Sequence, residues 1–201
     1  MHAPDNTGIE TGWLAGARRI ASPNFDERPP DSPVSLIVLH AISLPPAQFG
    51  GDAIVRLFTN SLDPTAHPYF AEIAALRVSA HFLIRRDGAL LQFVSCQHRA
   101  WHAGASCFGG RQRCNDFSIG IELEGSDITP FTDAQYTTLI ALTQCVNDRY
   151  PIKDIAGHSD IAPGRKTDPG PCFDWQRYTA GINRSNLFRA AGHVSIGHEK
   201  L

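Results

Sequence analysis

No stretch of the chain stays apolar for the roughly 18 residues that a membrane-crossing helix needs, so no transmembrane segment is expected. Basic charge is not in excess: 18 Lys and Arg face 20 Asp and Glu, a formal net charge of −2, and nothing suggests a nucleic-acid partner. The five cysteines (Cys96, Cys107, Cys114, Cys145 and Cys172) are odd in number and contain no CxxC pair, which argues against a disulfide framework or a cysteine zinc site. The first twenty residues lack a basic segment followed by an apolar one. With residue 1 as the natural start, that predicts no secretory signal and a cytoplasmic protein. No internal repeat is present, and no exposed apolar heptads suggest self-association, so a monomer is expected.

What the chain does have is histidine, nine in 201 residues, in a soluble-protein composition of 42% hydrophobic and 19% charged residues. That length fits one domain with a substantial core. Residues 1–33 are polar, rich in proline towards the end, and predict an irregular lead-in; residues 34–184 are expected to form the catalytic domain. Residues 185–201 have mixed composition and are expected to be a poorly ordered tail, so that His193 and His198 are poor candidate ligands.

The run VSLIVLH, 34–40, predicts a buried strand with His40 at its carboxyl end. Asp52 is a possible N-cap for a short helix over 52–60, and a second helical segment is expected within 62–76. Two strand-like runs, 78–84 and 89–95, flank Asp87-Gly88 and predict an antiparallel hairpin. His81, inside the first of them, is a rival metal ligand, although its mid-strand position favours a packed histidine. The glycine-rich stretch 99–115 places Trp101 beside His102, and an aromatic there either stacks on a sugar ring or covers the core.

In SIGIELEG, 118–125, strand alternation puts Ser118, Gly120, Glu122 and Glu124 on one face, with Gly120 leaving open space beside Glu122. This is either a chemical face or a solvated edge strand, and alternation does not separate Glu122 from Glu124. The best helix spans 132–150, with a Thr132/Gln135 capping box and an apolar stripe through Tyr136, Leu139, Ile140, Thr143 and Val146. A brief strand, DIAGH, leads His158 into the loop GHSDIAPGRKTDPGPCFDW, 157–175, which carries Lys166 and Asp168 among prolines and glycines. That loop is either a sharply turned surface segment or half of a site.

A catalytic zinc site needs three N, O or S ligands and one open position. His40, His158 and Asp168 supply a His₂Asp set. Bound zinc lowers the pKa of its water to about 7, Glu122 is placed to carry the proton, and Lys166 to stabilise the oxyanion of an amide undergoing hydrolysis. A zinc deaminase is excluded, because both H-x-E and P-C-x-x-C are missing.

Over about 12–178 the chain resembles the zinc-dependent N-acetylmuramoyl-L-alanine amidases of the amidase-2 and peptidoglycan-recognition superfamily, and within it the cytoplasmic AmpD-type 1,6-anhydro-N-acetylmuramyl-L-alanine amidases. The resemblance is carried by GWLAGARRIASPNFDERP, LIVLHAISLPPAQFGG, LRVSAHFLIRRDG, RAWHAG, RCNDFSIGIELEGSD and GHSDIAPGRKTDPGPCFDW. It implies an α/β single domain, a mixed central β-sheet flanked by helices, with Zn²⁺ at the bottom of a groove. It implies His40, His158 and Asp168 as zinc ligands, Glu122 rather than Glu124 as acid/base, and Lys166 as transition-state stabiliser. It further implies Arg77, Trp101 and Arg113 as residues that hold a muropeptide. Ala41, after His40, departs from the polar residue that many relatives carry, and Cys172 is a conceivable competitor for the metal. The substrate implied is a small muropeptide from cell-wall turnover. The alternative from another class is a non-catalytic module that binds peptidoglycan fragments.

Overall fold

The computed structural model describes residues 8–182 and 188–189. Its centre is a mixed sheet whose principal strands are β1 (Leu36–Ile42), β2 (Phe82–Ile84), β3 (Leu90–Gln92), β4 (Ser118–Glu124) and β5 (Asp154–Gly157). Two short strands, Phe188–Arg189 beside β5 and Arg18–Arg19 beside β3, complete the order 188–189, β5, β1, β4, β2, β3, 18–19. β5, β1, β4 and β2 are parallel neighbours. β2 and β3 form the expected antiparallel hairpin. Gly88 turns it with φ of +83°, a backbone conformation that glycine adopts without a Cβ penalty.

All seven residues of β4 are buried, with β1 on one side and β2 on the other, so the solvated-edge reading of this strand is wrong. Its odd residues Ile119, Ile121 and Leu123 join Ile37, Leu39, Phe82 and Ile84 in one apolar layer. Against that layer packs α3 (Asp133–Arg149), which presents Tyr136, Leu139, Leu142 and Val146. The capping box expected from the sequence is present: Thr132 Oγ1 accepts from Gln135 N, and Gln135 Oε1 accepts from Thr132 N. Helix α5 (Trp175–Ile182) closes the same side, its Tyr178 hydroxyl 2.7 Å from Thr143 Oγ1.

The other face is covered by α1 (Ala53–Phe58) and α2 (Pro68–Ile73), whose Ile54, Leu57, Phe58 and Phe70 pack with Leu83, Leu91 and Phe93. Asp52 stands at the start of α1 but makes no capping bond, because its carboxylate pairs with Arg56 at 2.8 Å. Among the described residues, the lead-in carries four two-residue strands, at 9–10, 13–14, 18–19 and 25–26, and is fastened to the sheet. Arg28 is driven inward and donates to the carbonyls of Cys96, Asn115, Asp116 and Ser118 at 3.3, 3.0, 3.0 and 2.8 Å. Burial lowers its guanidinium to about 10. Apart from 188–189, the tail expected to be poorly ordered, with His193 and His198, lies outside the described residues.

Candidate metal centre and active site

The register of three adjacent parallel strands builds the site. Glu122 of β4 lies opposite His40 of β1, and Gly157 of β5 lies opposite Leu39, so His158 follows at the level of His40. Three chemical side chains thus emerge in one row at the carboxyl ends of neighbouring parallel strands, where open α/β sheets place their ligands. His158 opens the helical turn α4 (His158–Ile161), and the loop behind it returns to bring Asp168 alongside. That return is stapled: Ser159 N donates to the Asp168 carbonyl at 2.9 Å, and Asp160 Oδ2 accepts from Gly157 N at 2.7 Å. A Cβ on Gly157 would stand 2.8 Å from Pro169 Cδ, so glycine is needed where the loop closes on the strand.

His40 Nδ1, His158 Nδ1 and Asp168 Oδ2 form a triangle with edges of 2.9, 3.1 and 3.2 Å. Tetrahedral ligands about 2.05 Å from a zinc ion stand about 3.3 Å apart, so the donor set fits such a cation. It is the one group of at least three His, Cys, Asp or Glu side chains with metal-holding geometry among the described residues. The protonation states also fit. Burial lowers His40 to about 4, against the opposing pull of Asp168, so its imidazole is neutral. Burial works to raise Asp168, but the close approach of the His158 and His40 rings, at 3.1 and 3.2 Å, outweighs it and holds the carboxyl well below its usual range. A neutral imidazole, as at His40, and an ionised carboxylate, as at Asp168, are forms that bind a metal.

Glu122 lies beside the triangle. Its Oε2 is buried and has no hydrogen-bond partner, and burial, with Asp168 nearby, pushes its carboxyl well above the ordinary 4.5 against a smaller opposing effect of Lys166. Glu124 differs in kind: its carboxylate accepts the Gly50 N–H at 2.6 Å and the Arg86 N–H at 3.1 Å. A groove of about 470 Å³ opens over the row, lined by the triangle, Glu122, Lys166, Trp101 and an apolar wall that includes Leu57, Phe58 and Tyr69. Lys166 is exposed there; its backbone N–H donates to the Ala162 carbonyl at 3.1 Å, while its ammonium makes no hydrogen bond or ion pair among the described residues.

Other expected residues fall elsewhere. Arg77 folds onto the carbonyls of Ala74, Ala75 and Leu76 and does not line the groove. Arg113 pairs with Asp116 at 3.3 Å and lines an adjoining cavity of about 590 Å³. His81 is packed and stands outside the triangle: its Nδ1 accepts from Gly120 N at 3.0 Å and its Nε2 faces the His98 carbonyl at 3.1 Å. The Cys172 thiol donates to the Asp127 carbonyl at 3.1 Å, also away from the triangle. The space expected beside Glu122 at Gly120 is not open, because the ring of His102 fills it. Sequence reasoning gave His102 no role. The available signal was Gly120 itself, since glycine inside a strand marks the close approach of another group.

A His₂Asp triangle beside an unpartnered carboxylate, at the floor of a groove, is the donor set of a metal-assisted hydrolase. Comparison with known proteins then gives the family. The sequence profile of N-acetylmuramoyl-L-alanine amidases matches residues 30–171, and the chain belongs to that family. It is 59% identical over 178 residues to the 1,6-anhydro-N-acetylmuramyl-L-alanine amidase AmpD of Escherichia coli K12, covering 88% of this chain and 97% of that protein. Its fold matches a crystal structure of an AmpD selenomethionine derivative with a TM-score of 0.85 and 60% identity, covering 87% of this chain and 98% of the other. It also matches the Escherichia coli amidase AmiD, solved with anhydro-N-acetylmuramic acid-L-Ala-D-γ-Glu-L-Lys, with a TM-score of 0.57 and 30% identity, covering 79% and 65% of the two chains.

Proposed function

We propose that this chain hydrolyses the amide bond between 1,6-anhydro-N-acetylmuramic acid and L-alanine in muropeptides, using Zn²⁺ held by His40, His158 and Asp168. The observation that carries this reading is the ligand triangle with the unpartnered Glu122 Oε2 beside it. When bound, the ion supplies Lewis acidity towards the water and the amide carbonyl. Glu122 takes the proton of the attacking water and returns it to the departing alanine nitrogen, a transfer suited to a carboxyl already raised towards neutrality. Lys166, unpaired at the groove, offers its ammonium to the oxygen of the carbonyl as negative charge develops. Trp101 forms part of the groove wall against which the sugar packs. Arg77 and Arg113 serve the stem-peptide carboxylates only if their side chains swing from their present partners.

Cytoplasmic peptidoglycan recycling is the setting we propose. Five free cysteines, one of them the exposed Cys107, suit a reducing compartment. The functional test is to incubate the zinc-loaded protein with an anhydro-muropeptide and follow release of the stem peptide by mass spectrometry. Release is the expected result; an intact substrate after prolonged incubation would overturn the proposal.

A further inference from the structure

His102 lines the groove beside the triangle but is not one of its three corners, and the proposed reaction does not use it. Its ring is nonetheless seated against the back of His40, with His102 Nδ1 2.9 Å from His40 Nε2. On the far side, His102 Nε2 is 3.2 Å from Ser118 Oγ, which donates to the Cys114 carbonyl at 2.6 Å. The carbonyl only accepts, so it fixes the direction of the whole chain of bonds. Ser118 gives its one proton to Cys114 and accepts from His102 Nε2–H. His102 Nδ1 is then left as an acceptor for His40 Nε2–H. The lone pair of His40 is thereby placed on Nδ1, the atom that faces the triangle.

The next residue does the same for the other histidine. The Ala103 carbonyl is 3.2 Å from His158 Nε2 and accepts its proton, again leaving Nδ1 for the triangle. Arg165 Nη2 donates to the same carbonyl at 3.0 Å. Asn115 Oδ1 holds the backbone of both residues, accepting from His102 N at 3.2 Å and Ala103 N at 2.8 Å. The seat for the His102 ring exists because residue 120 is glycine: a Cβ there would lie 2.4 Å from His102 Cγ and 2.6 Å from Nδ1.

We infer that residues 102–103 are the positioning element of the metal centre, with the His102 side chain and the Ala103 carbonyl fixing both ligand histidines as Nδ1 donors. The inference rests on the reading that His40, His158 and Asp168 hold Zn²⁺. His102 is a positioning residue, because it acts through His40.

The test is the Zn²⁺ affinity of the full chain, measured by chelator competition, with His40→Ala as reference. Retention of wild-type affinity by His40→Ala would remove the metal-site reading itself. Given loss there, His102→Phe keeps a ring over Gly120 but removes the acceptor, and should weaken Zn²⁺ binding roughly 10- to 100-fold. His102→Asn places an amide oxygen near the position of Nδ1 and should stay within about fivefold of wild type, which a merely space-filling role would not predict. In zinc-loaded protein, long-range ¹H–¹⁵N imidazole spectra should show His40 as the Nε2–H tautomer, with its proton resonance moved upfield in His102→Phe and kept in His102→Asn. Gly120→Ala removes no hydrogen-bonding group yet displaces the ring, so it should weaken Zn²⁺ binding in the same sense and covers the case in which His102→Phe does not fold. The inference is overturned if His40→Ala loses Zn²⁺ while either His102→Phe or Gly120→Ala binds it within about threefold of wild type. Equal weakening by the Asn and Phe variants would overturn it too.

Discussion

Glu122 and Glu124 stand two residues apart on one strand, on one face, and both are buried at 9% and 1% exposure. Burial therefore does not distinguish them; partners do. Glu124 accepts two backbone N–H groups, from Gly50 after β1 and from Arg86 in the hairpin turn, and so ties two loops to the sheet. Glu122 has an oxygen with no partner and lines the same groove as the ligand triangle. A buried polar group without a partner costs stability, and such costs persist in native proteins where function uses the group. On the proposed reading, one carboxylate belongs to the scaffold and the other to the chemistry.

That contrast can be broken from the metal side first. His158→Ala removes one corner of the triangle, on which the role proposed for Glu122 depends and that of Glu124 does not. Bound Zn²⁺ should fall to background, and peptide release should drop by about a thousandfold or more, the worth of several kcal/mol of lost charge stabilisation. Folding, followed by thermal melting of metal-stripped protein, should change far less.

A smaller effect is expected on the scaffold side. Glu124→Ala leaves the Gly50 and Arg86 N–H groups without their acceptor, and should lower the free energy of unfolding by about 1–3 kcal/mol in denaturant titrations. Turnover per folded molecule should stay within about tenfold, because the proposed reaction gives Glu124 no step.

The smallest effect is a slope. Glu122 has a folded pKa raised above the ordinary 4.5, so between those two values the native state binds more protons than the unfolded chain. Its contribution to stability is present below 4.5 and is lost as pH rises towards the folded value. In metal-stripped protein, wild type should therefore lose stability relative to Glu122→Gln by up to about 1.4 kcal/mol per pH unit across that window. Parallel stability–pH curves for the two proteins would contradict the raised carboxyl.

Local chemistry was legible in the sequence and distant pairing was not. The α3 capping box appears where expected, and four of the five stripe residues are buried; Ile140 is only partly buried, and Leu142, outside the expected stripe, is buried instead. The β2–β3 hairpin was marked by its own Asp-Gly turn. By contrast, the placement of β4 between β1 and β2 depends on register across about eighty residues, and that is what converts a possible edge strand into the sheet's centre. Arg28 looked like part of a polar lead-in, because the carbonyls that draw it inward belong to residues 96–118. Within the site, His40, His158, Asp168 and Glu122 were candidates by residue type and strand position. The difference between Glu122 and Glu124 lay in two backbone N–H groups from other loops, which no pattern along the strand could reveal. His102 was hidden for a related reason: its meaning comes from Gly120 and His40, both distant in sequence.

The most direct test is to compare zinc-loaded Glu122→Gln and Glu124→Gln, side by side, for release of the stem peptide from an anhydro-muropeptide. Glu122→Gln should keep its Zn²⁺ and lose about 10²- to 10⁴-fold in turnover, while Glu124→Gln should stay within about tenfold of wild type. Near-wild-type turnover by Glu122→Gln, or an equal loss by a folded Glu124→Gln, would contradict the division of roles between the two carboxylates.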